Sequence, residues 1–277
     1  MQGSLLRRVV FASFLSVFAA AAIGQTQPPK KDAEFKPSVG QEGKDVVWVP
    51  TSQALVNRML DMAKVTSSDV LYDLGSGDGR TVITAAKRGA KATGVEYNPN
   101  MVALSKRNAQ KEGVGDKAQF INGDIFETDF SHASVITLFL LPELNVKLRP
   151  KILNMKPGTR VVSNSFTMGD WQADETQNVS EKEGCTAYCT AYLWIVPAKA
   201  EGKWKMPEGE LTLKQTFQNV SGSLGANEIS KGRLRGEQIS FTAGSAQYSG
   251  KISGDTLSGT VKNGSNSKDF TATRAGS

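Results

Sequence analysis

An acidic residue and a glycine-rich turn follow a short apolar run near residue 70, and together they are suited to holding a small cationic ligand. The run Val70–Leu74 predicts a strand, and residues 75–79 lead into a helix whose first N–H groups lack partners within the helix. Glycines let this backbone adopt positive φ and approach a ligand closely. A dinucleotide site would carry G-x-G-x-x-G, but Arg80 takes the place of the third glycine. Asp73 would repel a phosphate and so favours a cationic or amine-bearing ligand.

A second acid lies at the matching position of the next predicted strand. Residues 91–96 end in Glu96, about twenty residues after the glycine turn, which is the distance at which a βαβ unit returns an acid to a ribose. One carboxylate can accept hydrogen bonds from both ribose hydroxyls. Asn98 and Pro99 then begin a helix that we expect to run to about Lys111.

The pattern D-x-G-x-G-x-G from Asp73 to Gly79 resembles motif I of the Rossmann-like (class I) S-adenosylmethionine methyltransferases, whose cofactor carries an ammonium and a sulfonium. The resemblance implies that an acid after the third strand, here Asp124, accepts from the adenine amine. It also implies that the next apolar residue packs on the adenine ring. The implied cofactor site comprises Asp73, Gly75, Ser76, Gly77, Gly79, Glu96, Asp124 and Ile125.

The order of the predicted elements gives the fold class. Residues 133–141 are almost continuously apolar, as in a central parallel strand buried on both faces. An amphipathic helix, with Thr51 as its expected N-cap, precedes the first strand, and a Pro-Gly turn at residues 157–158 leads into a fifth. We therefore expect an α/β, Rossmann-like methyltransferase sheet with helices on both faces over residues 46–200.

Several short motifs point to one branch of these enzymes. They are Val49-Pro50-Thr51, residues 73–80, Gly94-Val95-Glu96, Pro142-Glu143, Leu148-Arg149, Lys156-Pro157-Gly158 and Val161-Val162-Ser163. In these motifs residues 46–171 are similar to the disruptor-of-telomeric-silencing type of histone lysine methyltransferase. They are also similar to the mitochondrial lysine methyltransferases that act on the ATP synthase c-ring protein and adenine nucleotide translocase. The chain departs from the histone enzymes at residues 137–141, which are apolar here and Asn-rich there.

Side chains after the fourth and fifth strands are candidates for the mouth that admits the methyl acceptor. They are Phe139, Leu141, Pro142, Glu143, Phe166 and Trp171, at the carboxyl ends of strands where open α/β sheets bind ligands. An apolar mouth would favour the neutral form of a lysine amine, and Glu143 at the rim could orient the arriving ammonium. Core packing is the alternative for the apolar side chains. Methyltransferases of nucleobase amines carry an Asp/Asn-Pro-Pro-aromatic clamp at this position, and its absence counts against a base methylase.

The amino-terminal segment predicts export to the periplasm or the exterior. Arg7 and Arg8 precede an almost wholly apolar stretch that ends in small residues near Gly24, as in a signal peptide over residues 1–24. Residues 25–45 form a polar linker. If this segment were left uncleaved, it would provide the chain's contact with a membrane.

Cys185 and Cys189 are the two cysteines of the chain, and export permits a disulfide. In one extended strand they would lie about 13 Å apart, which prevents bonding, whereas a turn at residues 186–187 would allow it. Two cysteines with no histidine nearby do not make a metal site. We expect no catalytic role for either.

Residues 204–277 have a different character, with glycine, serine and alternating apolar residues. Residues 231–240 are matched by residues 249–258, and a looser copy begins at Ser221. Period-two strands separated by glycine turns predict antiparallel hairpins in a small sheet or partial barrel. This β domain could bind a surface, a peptide, a glycan or the neighbouring domain.

Length and charge narrow the function further. The 277 residues suffice for two cores, and the net charge of +6 comes without a dense basic run, so the sequence gives no case for nucleic-acid binding. The sequence predicts a methyltransferase whose acceptor is a protein lysine or a small molecule. An exported protein that keeps the fold and binds without turnover is the alternative.

Overall fold

The structure is a computed structural model that describes residues 35–275. The predicted signal peptide at residues 1–24 and residues 25–34 of the predicted linker lie outside this range. Residues 35–52 contain neither helix nor strand. Within the described range, no helix is both long enough and apolar enough to cross a bilayer.

A mixed sheet forms the first half of the described chain. Its strands are β1 (Val70–Leu74), β2 (Lys91–Glu96), β3 (Ala118–Asn122), β4 (Val135–Leu138), β5 (Arg160–Asn164), β6 (Glu175–Asn178) and β7 (Thr190–Ile195), in the order β3-β2-β1-β4-β5-β7-β6. The strands β1 to β5 run parallel, and β7 pairs antiparallel with β5 and β6. The strand order reverses between β1 and β4, and open α/β sheets bind ligands at such a reversal.

Two apolar layers cover the sheet because successive side chains of a strand point to opposite faces. Leu71 packs with one layer, whereas Tyr72 and Leu74 pack with the other. The helices are α1 (Gln53–Met62), α2 (Arg80–Lys87), α3 (Pro99–Lys111) and α4 (Pro142–Leu153). Apolar residues of α1, α2 and α3 belong to the first layer and those of α4 to the second. The predicted Rossmann-like fold is confirmed.

Two local predictions differ from the structure. Ser52, rather than Thr51, caps α1, and its hydroxyl accepts from the Leu55 N–H at 3.3 Å. The strand β4 ends at Leu138, so residues 139–141 form a loop instead of continuing the strand. The apolar run predicted a longer strand because side chains that line a cavity have the same composition as side chains in a core.

Residues 202–274 form a closed antiparallel barrel of eight strands, where the sequence predicts a small sheet or partial barrel. The strands are β8 (Gly202–Met206), β9 (Gly209–Thr216), β10 (Asn219–Leu224), β11 (Asn227–Arg235), β12 (Gln238–Ala243), β13 (Ala246–Ser253), β14 (Thr256–Asn263) and β15 (Asn266–Arg274). Pairing of β15 with β8 closes the barrel. The two matched segments are the β11–β12 and β13–β14 hairpins, whose turn glycines Gly236 and Gly254 have φ of 61° and 59°.

The barrel packs against the sheet edge that β6 forms. Arg233 lies 2.7 Å from Asp174, and Arg235 lies 2.5 Å from Glu175. The Gln218 side-chain amide donates to the Gln172 carbonyl at 2.7 Å. Polar and ionic contacts therefore tie the first hairpins of the barrel to the segment that leads into β6.

The two cysteines form a disulfide in the loop before β7. Their Cα atoms are 5.7 Å apart because the chain turns between them and the strand begins only at Thr190. Of the two geometries that the sequence leaves open, the turn is the one observed.

Candidate cofactor and acceptor site

The site is a cavity of about 380 Å³ along the carboxyl edge of the parallel strands, a size typical of small-molecule sites. Asp73 lies in β1 just before its end, Glu96 ends β2, and Asp124 follows β3 by two residues. All three line the cavity, together with Gly75, Ser76, Gly77 and Ile125. The strand order β3-β2-β1 places the three acids side by side, as their spacing in the sequence predicts.

The glycine turn has backbone conformations that favour glycine. Gly75, Gly77 and Gly79 have φ of 84°, 53° and 83°. A Cβ at Gly77 would lie 2.6 Å from the Trp48 indole nitrogen, which crosses the turn from the segment before α1. A Cβ at Gly79 would lie 2.8 Å from the Phe120 ring, so this glycine serves packing beneath the turn rather than the cavity.

Glu96 is held by the turn that it faces. One carboxylate oxygen accepts from the Gly77 N–H at 3.0 Å, and the other accepts from the Asn98 N–H at 2.9 Å. These bonds fix the plane of the carboxylate. Because each oxygen can accept more than one hydrogen bond, both remain able to accept from a pair of vicinal hydroxyls.

Asp124 is paired with a lysine that the sequence analysis does not identify. The Lys44 ammonium forms an ion pair with Asp124 and lies 5.0 Å from the centre of the Tyr97 ring. The lysine hydrogen bond, followed by the Phe126 N–H, holds the pKa of Asp124 below its usual range. Lys44 and Trp48 belong to residues 41–51, an irregular segment that lines the cavity and shows no periodic pattern in the sequence.

Asp73 is the most perturbed acid of the cavity. Burial raises its pKa to about 7, and the charges of Asp78 and Glu96 act in the same direction. The Thr137 hydroxyl donates to it at 2.6 Å and partly offsets the burial. A buried carboxylate with little compensation gains strongly from a cation brought beside it.

These groups fit the cofactor that the sequence resemblance implies. S-adenosylmethionine presents an ammonium, a ribose diol and an adenine amine, which are hydrogen-bond donors, and the three strand ends present carboxylate acceptors. Ile125 is buried and lines the cavity next to Asp124, where it can pack on a flat ring. The Ser76 hydroxyl is buried and has no hydrogen-bond partner among residues 35–275.

The other end of the cavity carries a cluster of three aromatic rings. Phe139 follows β4, Phe166 follows β5, and Tyr188 precedes β7. Their centroids lie 5.3 to 6.0 Å apart. Leu141 and Leu144 line the cavity beside them. Tyr188 is absent from the sequence-based candidates, because its place depends on the turn that the disulfide closes.

The remaining candidates for the mouth lie elsewhere. Trp171 is fully buried and stacks on Phe217 with ring centroids 5.9 Å apart, so it is a packing residue near the barrel and not a mouth residue. Its aromatic character indicated a ligand site only because the sequence does not show that the barrel covers it. Pro142 and Glu143 lie exposed in the first turn of α4, and the cavity wall formed by the described residues does not include them.

Comparisons with known proteins agree on one enzyme class. The family model for the ANTKMT methyltransferase domain matches residues 73–175. The chain is 44% identical over 154 residues to a protein-lysine N-methyltransferase of Saccharolobus islandicus (strain REY15A), covering 54% of this chain and 94% of that protein. It is 33% identical over 176 residues to the Mus musculus lysine N-methyltransferase named for the C-type subunit of ATP synthase, covering 63% of this chain and 66% of that protein.

A solved structure matches the same region. It is described as an RNA methyltransferase from Salinibacter ruber in complex with S-adenosyl-L-homocysteine. The identity is 47% and the TM-score 0.51, and the match covers 55% of this chain and 95% of that chain. The name of this neighbour and the names of the lysine methyltransferases differ in the acceptor and agree in the reaction.

Proposed function

We propose that this chain, which belongs to the S-adenosylmethionine-dependent protein-lysine N-methyltransferase family, methylates the side-chain amine of a protein lysine. It is a methyltransferase, and S-adenosylmethionine is its cofactor. The observation that carries the acceptor assignment is the continuous cavity, which has three carboxylates at one end and a cluster of aromatic rings at the other.

The proposed cofactor contacts follow from the positions of the acids. Asp73 faces the cationic part of the ligand, since its burial without a neighbouring cation makes ionisation costly. Glu96 accepts from the ribose hydroxyls, and Asp124 accepts from the adenine amine while Ile125 packs on the ring. Backbone atoms of the turn at Gly75 and Gly77 provide the close approach.

The acceptor end of the cavity supplies alignment and desolvation. When bound, S-adenosylmethionine supplies a methyl group on a sulfonium, which a neutral amine nitrogen displaces in line. Phe139, Phe166 and Leu141 offer an apolar wall along which a lysine stem can lie. That wall disfavours the ammonium and so lowers the cost of losing the proton to solvent before transfer. In-line alignment supplies most of the acceleration, and no general base is required at the mouth.

We also propose that the chain is exported. The amino-terminal sequence has the pattern of a signal peptide. The disulfide between Cys185 and Cys189 supports this location, because such bonds persist mainly in oxidising compartments. The acceptor would then be a protein of the cell envelope or the exterior.

Methyl-label transfer tests the acceptor. The chain from residue 25 onward is incubated with methyl-labelled S-adenosylmethionine and a cell-envelope extract, and mass spectrometry locates the label. We expect label on lysine side-chain nitrogens. Label on RNA, the acceptor named for the Salinibacter ruber neighbour, would refute the lysine assignment, as would label confined to small molecules, carboxylates or thiols. Cofactor binding without any transfer would favour a binding protein.

A further inference from the structure

The three aromatic rings at the acceptor end come from three separate segments that meet at one edge of the sheet. Phe139 and Phe166 follow the parallel strands β4 and β5. Tyr188 precedes β7, which is antiparallel to β5, so the start of β7 lies beside the end of β5. All three rings line the same cavity as the cofactor acids.

The spacing of the rings indicates how they would meet an acceptor. Phe139 and Phe166 are stacked at 6.0 Å, and Tyr188 lies edge-on to Phe139 at 5.3 Å. Such distances are contact distances between rings and leave no room for a side chain between them. The cluster is therefore a continuous wall, and an alkylamine would lie along its face. Tyr188 forms the outer part of this wall, with 47% of its surface exposed.

The backbone at Tyr188 is held in an unfavourable conformation. Its φ is +54°, in the left-handed region that costs a bulky residue roughly 1 kcal/mol or more. The residue lies inside the short loop that the Cys185–Cys189 disulfide closes. Cys185 is 1% exposed and packs in the apolar layer with α1, so one end of the loop is anchored in the core.

We infer that the Cys185–Cys189 disulfide is a positioning element of the acceptor site, because it holds Tyr188 against Phe139 and Phe166 and so completes the wall that receives the acceptor's alkyl stem. The inference rests on the proposed lysine acceptor and adds to it a residue that sets acceptor affinity. A disulfide with a purely structural role would contribute to stability alone. A positioning role changes the KM for the acceptor and leaves cofactor affinity unchanged.

A matched pair of substitutions at Tyr188 separates the two roles. Tyr188→Phe keeps the ring, whereas Tyr188→Gly removes it and relieves the left-handed backbone, so the glycine variant should fold at least as stably. We expect Tyr188→Gly to raise the KM for the protein acceptor by roughly fivefold, the factor that corresponds to about 1 kcal/mol, while Tyr188→Phe stays near wild type. The S-adenosylmethionine Kd should be the same in all three proteins. An unchanged KM in Tyr188→Gly would overturn the inference.

Removal of the disulfide should have the same effect on the acceptor. The double variant Cys185→Ala/Cys189→Ala keeps the tyrosine but frees its loop, and we expect its acceptor KM to rise as in Tyr188→Gly. If its KM equals that of wild type, the disulfide does not position Tyr188.

A turnover-independent readout keeps this inference distinct from the proposed function. n-Butylamine, which has the stem and amine of lysine, is titrated by NMR into the full chain saturated with S-adenosyl-L-homocysteine. Weaker binding to Tyr188→Gly than to Tyr188→Phe supports the wall even if no protein lysine is methylated. Equal binding to both variants would reject it even if lysine methylation is observed.

Discussion

Ionisation of Asp73 should make the affinity for S-adenosylmethionine depend on pH. In the cofactor-free chain, burial raises the pKa of this carboxyl to about 7, so much of it is protonated in mildly acidic solution. A cation bound beside it favours the carboxylate and lowers that pKa again. Binding therefore releases a proton below pH 7, and affinity rises with pH until the carboxyl is already ionised in the free protein.

The size of the effect follows from the fraction of ionised Asp73. If the carboxylate form binds and the protonated form does not, the apparent Kd is proportional to one plus the ratio of protonated to ionised carboxyl. With a pKa of about 7, the Kd at about pH 5.5 is then about fifteenfold higher than at about pH 7. Both values lie below about 7.7, where an α-amine such as that of the cofactor begins to lose its own proton.

Isothermal titration calorimetry at the two pH values measures both the Kd and the protons released, when repeated in buffers of different ionisation enthalpy. Asp73→Asn should lose most of the affinity together with the pH dependence. Asp124→Asn is the matched control, since its pKa lies below the usual range and it should weaken binding equally at both pH values. A wild-type Kd that changes less than about twofold between these pH values would refute the reasoning.

Four further predictions concern the site and the domains. Gly77→Val should abolish cofactor binding in calorimetry, because its side chain would meet the Trp48 indole at a position of positive φ; binding within tenfold of wild type would contradict this. Glu96→Ala should weaken cofactor binding by about 1–3 kcal/mol in the same assay, and equal affinity would remove the ribose assignment. Glu143→Ala should raise the KM for the protein acceptor without changing the cofactor Kd; an unchanged KM would exclude a role in delivering the acceptor. A chain that ends at Ala200, just before β8, should remain folded by circular dichroism and bind the cofactor with near-native affinity, whereas aggregation would show that the barrel completes the sheet domain.

The cofactor end of the site could be predicted from the sequence, since its signals are local. Each acid lies at or just after a strand end, and parallel strands bring those ends to one edge. The glycine turn could be predicted for the same reason, as its conformation depends on neighbouring residues. The resemblance added the ligand that joins these acids.

The acceptor end could not be predicted to the same extent, since its side chains are placed by distant contacts. Trp171 is buried by Phe217, which lies in the barrel, and no local pattern indicates that contact. Tyr188 reaches the cavity through a disulfide-closed turn, and the sequence leaves that pairing open. Lys44 belongs to an irregular segment, where there is no period to indicate which side chains face inward.

Closure of the barrel by its last strand has a consequence for chain length. Because β15 pairs with β14 on one side and β8 on the other, the barrel presents no free sheet edge within the described residues. Loss of β15, which is 9 residues long, would expose unpaired backbone N–H and C=O groups on both neighbours at once. Unpaired edges are templates for pairing with other chains, so a chain that stops before Asn266 would be prone to intermolecular aggregation even with the methyltransferase sheet intact.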